Sequence, residues 1–423
     1  MKQSFFVQVA MLTVVCAASA RPALAQNTSV EGASPTLAAT AESAPRIDKI
    51  DKPGMFKRTF NWVGEKMIDG VGDAKDGLYP ELGGMIPGGG IAVGPGYRHH
   101  LFGNAAVASA SAAISSKRYS MMQSRIEWPS LFSNRLSIGA SGKYQDFTQI
   151  NYFGVGRDSD KGAWSDYRLK SVDFAGSATV RPVYWLSIGS SGGYTRGVDI
   201  SRGLSSIHVS TDELFQENTA PGLTVQPRYG HANVFVEADT RNVRGYATSG
   251  GIYRIGMTSF HDLDGSGQSF RRVDADAAQY APLLRRNWIL SVRGHVALSQ
   301  TGAGNAVPFY MMPTLGGRNT LPGYNDYRFR DRNAASVGAE YRIPVFHMID
   351  AALFADAGSV APTARGLWDG RLMRDYGVGL RVHSTTKSIA RLDVARGREG
   401  TRVSVSLTKS LGGSRNNVIP YVP

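Results

Sequence analysis

The chain has 423 residues: 42% hydrophobic, 19% charged and 10% aromatic, with 49 Gly, 19 Pro, a single Cys and a formal net charge of +13. A mean hydropathy of −0.20 excludes a bundle of membrane helices, each of which needs an apolar run of about 20 residues, and a lone cysteine excludes a disulfide scaffold. Low charge with abundant glycine and aromatics leaves an all-β fold, either soluble or closed into a membrane barrel.

Residues 1–25 read as a secretory signal peptide. Lys2 gives a positive start, Phe5 to Ala18 is an apolar run broken only by Gln8 and Thr13, and Ala23-Leu24-Ala25 is a small-residue cleavage site before Gln26. Cys16 follows Thr13-Val14-Val15 rather than a small residue, which argues against lipidation. Cleavage removes the only cysteine together with Lys2 and Arg21, leaving a charge of +11 and a chain suited to an oxidising compartment. Residues 26–54 are rich in Ala, Ser, Thr and Pro without an apolar period, which predicts a disordered tether. In 55–77, Phe56, Phe60, Val63 and Met67 fall at helical spacing, with Lys57, Arg58, Glu65 and Lys66 on other faces. This short amphipathic segment either lies on a membrane surface, packs against or plugs the β region, or is a frayed polar cap.

From 78 to 411 the period is two. In 374–384, Tyr376, Val378, Leu380 and Val382 oppose Gly377, Gly379, Arg381 and His383; in 401–411, Val403, Val405 and Leu407 oppose Arg402, Ser404, Ser406 and Thr408. The same reading predicts strands at 79–88, 90–98, 105–114, 118–128, 135–149, 167–181, 184–196, 229–241, 251–261, 270–281, 287–299, 334–345, 349–359, 374–384, 388–396 and 401–411. The first is the weakest, because Pro80, Pro87 and several glycines interrupt it. A soluble sandwich also alternates. Two features favour the membrane version. The polar parity is rich in Gly and Ser as well as charge, as in LSIGSSGG (186–193). Connectors also alternate between short (129–134, 182–183, 282–286) and long (151–166, 197–227, 262–268, 300–332). Trp128, Tyr184, Trp185 and Trp288 flank the short ones, where an aromatic girdle belongs. The expected fold is an all-β transmembrane antiparallel barrel of about 16 strands, followed by a C-terminal extension at 412–423.

Chemistry-bearing motifs are sparse. Gly189-Ser190-Ser191-Gly192-Gly193 fits a nucleophile pattern but lies inside a strand pattern rather than at a strand–turn–helix elbow. Asp262, Asp264, Ser266 and Gly267 start like a calcium loop, yet Val273 stands where the bidentate Glu belongs, so a polar hairpin turn is the better reading. His99 and His100 are expected to face opposite ways at a strand end, not to form a metal pair. The chain is read as no enzyme, with no cofactor and no metal. Its basic balance points, in a secreted barrel, to outer-membrane lipid and lipopolysaccharide or an anion-favouring lumen rather than to nucleic acid.

Several motifs resemble those of the bacterial surface antigen superfamily, the outer-membrane assembly and translocation barrels also called the eighty-five-kilodalton outer-membrane protein superfamily. They are NYFGVGRDS (151–159), EADTRNVRGYATSGGIYRIG (237–256), LGGRNTLPGYNDYRFRDRN (315–333), GAEYRIP (338–344), FADAG (354–358), YGVGLRV (376–382) and RLDVARGREGTRVSVSL (391–407). The resemblance implies that the long loop 300–332 folds into the lumen. It also implies that an arginine at the loop tip meets acidic and aromatic groups on the wall. The tip here reads Leu321-Pro322-Gly323-Tyr324, with Pro322 in the arginine's place. Gly323 and Tyr324 match, as do Glu340, Phe354, Asp356 and Gly358 on the wall. A guanidinium locks a loop in a polar lumen by paired bonds to carboxylates, which proline cannot do. Arg330 or Arg332 is therefore expected to take over, out of the candidates Arg318, Arg328, Arg330 and Arg332.

A second departure concerns the periplasmic side. Translocating members carry polypeptide-transport-associated domains before the barrel, whereas 26–77 is too short for one once the tether is set aside. Two functions are compatible with this pattern. One is membrane biogenesis or protein and lipid insertion through a labile seam between first and last strands; the other is a passive or partner-gated channel. Implied partners are the assembly machinery that inserts the barrel and a separate periplasmic protein. The terminal 412–423 segment departs from the family's aromatic last residue.

Overall fold

The computed structural model describes residues 76–384 and 387–407. The expected signal peptide, the tether, nearly all of 55–77 and the extension at 412–423 lie outside the described residues. Sixteen antiparallel strands succeed one another: β1 Gly77–Gly83, β2 Ala92–Leu101, β3 Ala106–Ser115, β4 Ser120–Leu131, β5 Leu136–Tyr152, β6 Ser165–Val183, β7 Leu186–Arg202, β8 Tyr229–Asp239, β9 Gly250–Asp262, β10 Phe270–Leu283, β11 Arg285–Thr301, β12 Asn333–Phe346, β13 Ile349–Ala361, β14 Met373–His383, β15 Ser388–Gly397 and β16 Gly400–Leu407. Each pairs with the next in chain order. No α/β module precedes the barrel among the described residues, and no helix among them is long and apolar enough to cross a membrane.

All the expected strands are present. The first is shorter than the alternation predicts, ending at Gly83, because the glycine-rich stretch after it bends into the 84–91 connector, where Gly88 and Gly90 adopt φ of 73° and 78°. Pro80 pairs across from Pro95, so at that position neither strand has an N–H to give. Among the described residues no ladder joins β16 back to β1, and the cylinder is closed except along this seam.

The two parities face opposite sides of the wall in three dimensions. On β14 Tyr376, Val378 and Leu380 are exposed and Arg381 is buried; on β15 Leu392 and Val394 are exposed and Asp393 is buried. On β16 Val403 and Val405 are 66% and 67% exposed. Apolar side chains face outward and charges face inward, the inverse of a soluble protein and the arrangement lipid requires. Long and short connectors alternate: 153–164, 203–228, 302–332 and 362–372 on one rim, and on the other turns as tight as Leu284 (φ 68°), between β10 and β11. Exposed Phe102, Phe132 and Tyr184 extend the aromatic belt of the short-turn rim.

The minor motifs settle simply. Asp262 turns its carboxylate onto the amides of Asp264, Gly265 and Gln268 at 2.9–3.0 Å, a polar hairpin turn. His99 and His100, expected to diverge, both bring Nδ1 to Asp76, at 3.0 and 2.5 Å, because that carboxylate caps the strand end between them.

The two faces predict opposite sensitivities. Val378→Arg, on the lipid face of β14, is expected to cost about 2–4 kcal/mol in urea unfolding from a bilayer. Gln123→Arg, on the lumen side of β4, is expected to cost much less. Equal costs would contradict the assigned faces.

Candidate functional site

The 302–332 connector does not stand out in solvent. It enters the barrel, and Phe309, Tyr310, Met311, Leu315, Leu321 and Tyr324 are all 4% exposed or less. The turn Phe309–Met311 and Tyr327 pack with Phe147, Tyr152, Tyr167, Tyr229 and Phe260, which project inward from β5, β6, β8 and β9. A second cluster joins Leu315, Leu321, Tyr324 and Phe329 to Val360 and Met373 of β13 and β14. This half of the lumen is a packed core rather than a water channel. Burial pushes the Tyr310 and Tyr327 phenols well above their usual range.

Two arginines hold the root of the loop. Arg328 donates from Nε to both carboxylate oxygens of Glu399 (2.9 and 3.0 Å) and from Nη1 and Nη2 to Ser159 Oγ and O (2.8 and 2.7 Å). Arg330, 1% exposed, donates from Nη1 to Phe309 O (2.8 Å) and Tyr167 Oη (3.1 Å). Its guanidinium lies within 5.9 Å of the ring centres of Tyr152, Tyr167, Phe309 and Tyr327. The NYFGVGRDS motif supplies the outer clasp: Gly156 N–H, at φ 103°, donates to Arg330 O (2.7 Å).

The tip docks on the last three strands. Gly323 N–H donates to Asp375 Oδ2 at 2.5 Å. The Tyr324 hydroxyl donates to Arg374 O at 3.1 Å and accepts from Arg398 N–H at 3.2 Å. Arg402 Nη1 donates to Tyr324 O and Asn325 Oδ1, both at 2.7 Å. A Cβ at Gly323 would stand 2.6 Å from Gly397 N, so only glycine permits this approach. Pro322 makes no polar contact among the described residues. It lines a cavity of about 240 Å³ bounded by Gly83, Gly84 and residues 404–407, the two sides of the seam.

On the wall, Arg293 of β11, and no arginine of the loop, meets Asp356, at 2.8 Å. The register explains it. Arg293, Gly338 and Asp356 form one row across β11, β12 and β13, and a Cβ at Gly338 would fall 1.9 Å from Asp356 Oδ1. The missing side chain lets Arg293 reach across one strand. Beside it Arg381 bridges Glu340 and Asp393, both at 2.6 Å, and Arg391 takes the second Asp393 oxygen at 2.7 Å. Phe354 lies under Arg381, whose guanidinium carbon is 5.8 Å from the ring centre. Gly358 leaves room for Leu315 of the loop, whose Cδ1 would stand 2.7 Å from an added Cβ.

The sequence-derived residues therefore divide into three groups. Leu321, Gly323 and Tyr324 dock the tip, while Glu340, Phe354, Asp356 and Gly358 build the wall. Arg330 binds aromatic rather than acidic groups because its row faces the apolar half of the lumen, and Arg332 makes no side-chain hydrogen bond or ion pair among the described residues. Sequence reasoning named Arg328 as a candidate without favouring it, and missed Arg293, Arg391, Asp393 and Asp375. Arg293 shares the inward parity of its strand, but its partner lies two strands away.

The opposite mouth is crossed by the 240–249 connector. Tyr246 stacks on His383 (3.9 Å between centres, 7° between planes) and donates to Asp350. Arg342 Nη2 donates to Ala247 O at 2.5 Å, and Ser388 N–H donates to Gly245 O at 3.0 Å.

Wall and plug are separable by mutation. Arg293→Met and Gly338→Ala are each expected to cost about 3 kcal/mol, since each strips a buried carboxylate of its cation; urea titration of the folded barrel measures it, with Arg332→Met as a near-neutral control. Arg330→Met leaves Phe309 O unmatched and is expected to turn a mostly closed barrel into one with steady planar-bilayer conductance.

Comparison with known proteins is consistent with this architecture. Residues 100–398 match the Omp85 superfamily domain. The fold is similar to that of BamA from Haemophilus ducreyi lacking POTRA domains 1-3, with a TM-score of 0.59 and 16% identity over 78% of this chain and 70% of that one. It is also similar to that of CdiB from Escherichia coli, with a TM-score of 0.50 and 11% identity over 78% of this chain and 62% of that one. No curated protein matched the sequence. A superfamily domain spanning most of the chain, on a sixteen-stranded barrel with its long loop folded inward, means that the chain belongs to the Omp85 superfamily of outer-membrane assembly and translocation barrels.

Proposed function

We propose that this protein works in the bacterial outer membrane by inserting client protein or lipid at the seam between β16 and β1, after export by a cleaved signal peptide. The observation that carries the reading is the contrast between a plugged lumen and an unpaired edge. The core closed by Arg328 and Arg330 leaves little room for solute, while β16 presents backbone donors and acceptors with no ladder partner among the described residues. Such an edge templates an incoming strand. The weak β1, with Pro80 opposite Pro95, lowers the cost of parting the wall there. A separate periplasmic protein supplies client delivery in this reading, and the barrel reaches the membrane through the cell's own assembly machinery.

The passive-channel alternative is tested in the same preparation. Liposomes holding the protein are expected to speed the folding of a urea-denatured small outer-membrane barrel. The mature chain carries no native cysteine, so pairs can be introduced cleanly, Leu82→Cys with Ser404→Cys, Val405→Cys or Ser406→Cys in turn. An oxidised cross-link is expected to abolish the acceleration and reductant to restore it. Equal rates from locked and unlocked barrels, together with steady wild-type conductance, would establish the channel instead.

A further inference from the structure

The outer rim of β14–β16 carries a group of arginines that neither the plug nor the wall uses. Arg374, Arg396 and Arg398 are exposed. Arg374 and Arg396 share the outward parity of Tyr376 and Val394, directly above the apolar wall. Tyr376 pairs with Arg396, and Asp375 with Gly397, so one step further Arg374 comes beside Arg398. The 362–372 connector adds Trp368, 69% exposed, and Arg371; with Arg374 they line a half-open cavity of about 530 Å³. Among the described residues none of these four guanidinium groups forms an ion pair. Glu399, the adjacent carboxylate, is taken by Arg328, and Asp369 lies 3.5 Å from Arg365.

From this geometry we infer a binding site for the phosphate groups of an outer-leaflet glycolipid of the lipid A type. The inference rests on the outer-membrane setting proposed above. Four unpaired guanidinium forks at one rim match phosphate oxygens, which they bind bidentately. The surface below is what selects an amphiphile over free phosphate: Tyr376, Val378 and Val394 are 63%, 53% and 40% exposed and run down from the arginines as a track for acyl chains. Trp368, exposed on the rim connector, adds an indole of the kind that favours the headgroup layer. The backbone of the same segment grips the loop tip from inside, through Arg374 O and Arg398 N–H on the Tyr324 hydroxyl. Lipid on the outer surface and tip in the lumen therefore bear on one pair of strands, next to the seam.

The test uses the purified full chain in detergent, with native mass spectrometry reading binding of diphosphoryl lipid A, dephosphorylated lipid A and inorganic phosphate. Diphosphoryl lipid A is expected to bind at least about tenfold more tightly than the dephosphorylated form. The triple variant R374Q/R396Q/R398Q is expected to lose about tenfold or more in affinity while keeping its heat-modifiable gel mobility. R285Q/R286Q, at the short-turn rim, is expected to bind like wild type. Equal binding of the two lipids, an unchanged triple variant, or complete displacement by inorganic phosphate would overturn the site. A wild-type chain that fractionates with outer membranes yet shows no phosphate selectivity overturns this inference alone. Absence of the wild-type chain from that fraction overturns the setting on which both readings stand.

Discussion

The rest of the structure depends on a two-fold alternation in which every barrel residue is committed either to lipid or to the lumen. A charge on the inward parity cannot escape to water through the wall, so it must find its counter-ion within the cylinder. The row Arg293–Gly338–Asp356 and the bridge Glu340–Arg381–Asp393 are consequences of that constraint. The glycines of the inner parity serve the same end. Gly338, Gly377 and Gly379 lie where a Cβ would press on Asp356, Phe354 and Asp393 respectively. The repeated Gly-x-Gly of YGVGLRV is thus the gap through which long charged and aromatic side chains meet across strands.

Given that wall, the plug does not depend on an arginine at its tip. Asp356 takes its cation from Arg293 of the wall itself. The proline therefore sits without conflict facing the seam cavity, and the tip is held by backbone groups through Gly323 and Tyr324. Locking has moved to the root. Arg328 ties the loop to the β15–β16 turn and to the 153–164 connector, and Arg330 threads an aromatic cage.

The features legible in the sequence are the periodic ones. Sixteen strands, their faces and the alternation of connectors are all properties of neighbours in the chain, so Val378 and Asp393 declare their faces without a structure. Arg293 can be placed on the inner face but not paired, because its partner depends on register summed over two ladders. Arg330 stands out by its place in the loop, yet its surroundings come from β5, β6 and the loop's own Phe309. The 240–249 connector is legible only as a motif; that Tyr246 reaches His383 and Asp350 across the mouth depends on the curvature of the closed sheet. Alternation overstates the first strand because it continues into a glycine run that the backbone uses for a bend.

The placement of the anchors decides which side of the seam can move. The hydrogen bonds of Gly323 and Tyr324 to the wall and the Arg328–Glu399 pair all fall on β14, β15, β16 or their turn, so the last strands and the plug form one mechanical unit. Among the described residues the other side has no such hydrogen bond or ion pair to the tip, and its tie to the plug is the apolar packing of Met85 and Ile86, just beyond β1. β1 is short, Pro80 faces Pro95, and the β2–β3 ladder lapses at Gly94 and Pro95. Three weak points therefore lie in consecutive strands on one side of the same opening. If the wall parts, β1 and β2 swing while β16 stays fixed to the loop. The edge offered to a client is then the rigid one, which is what a template needs.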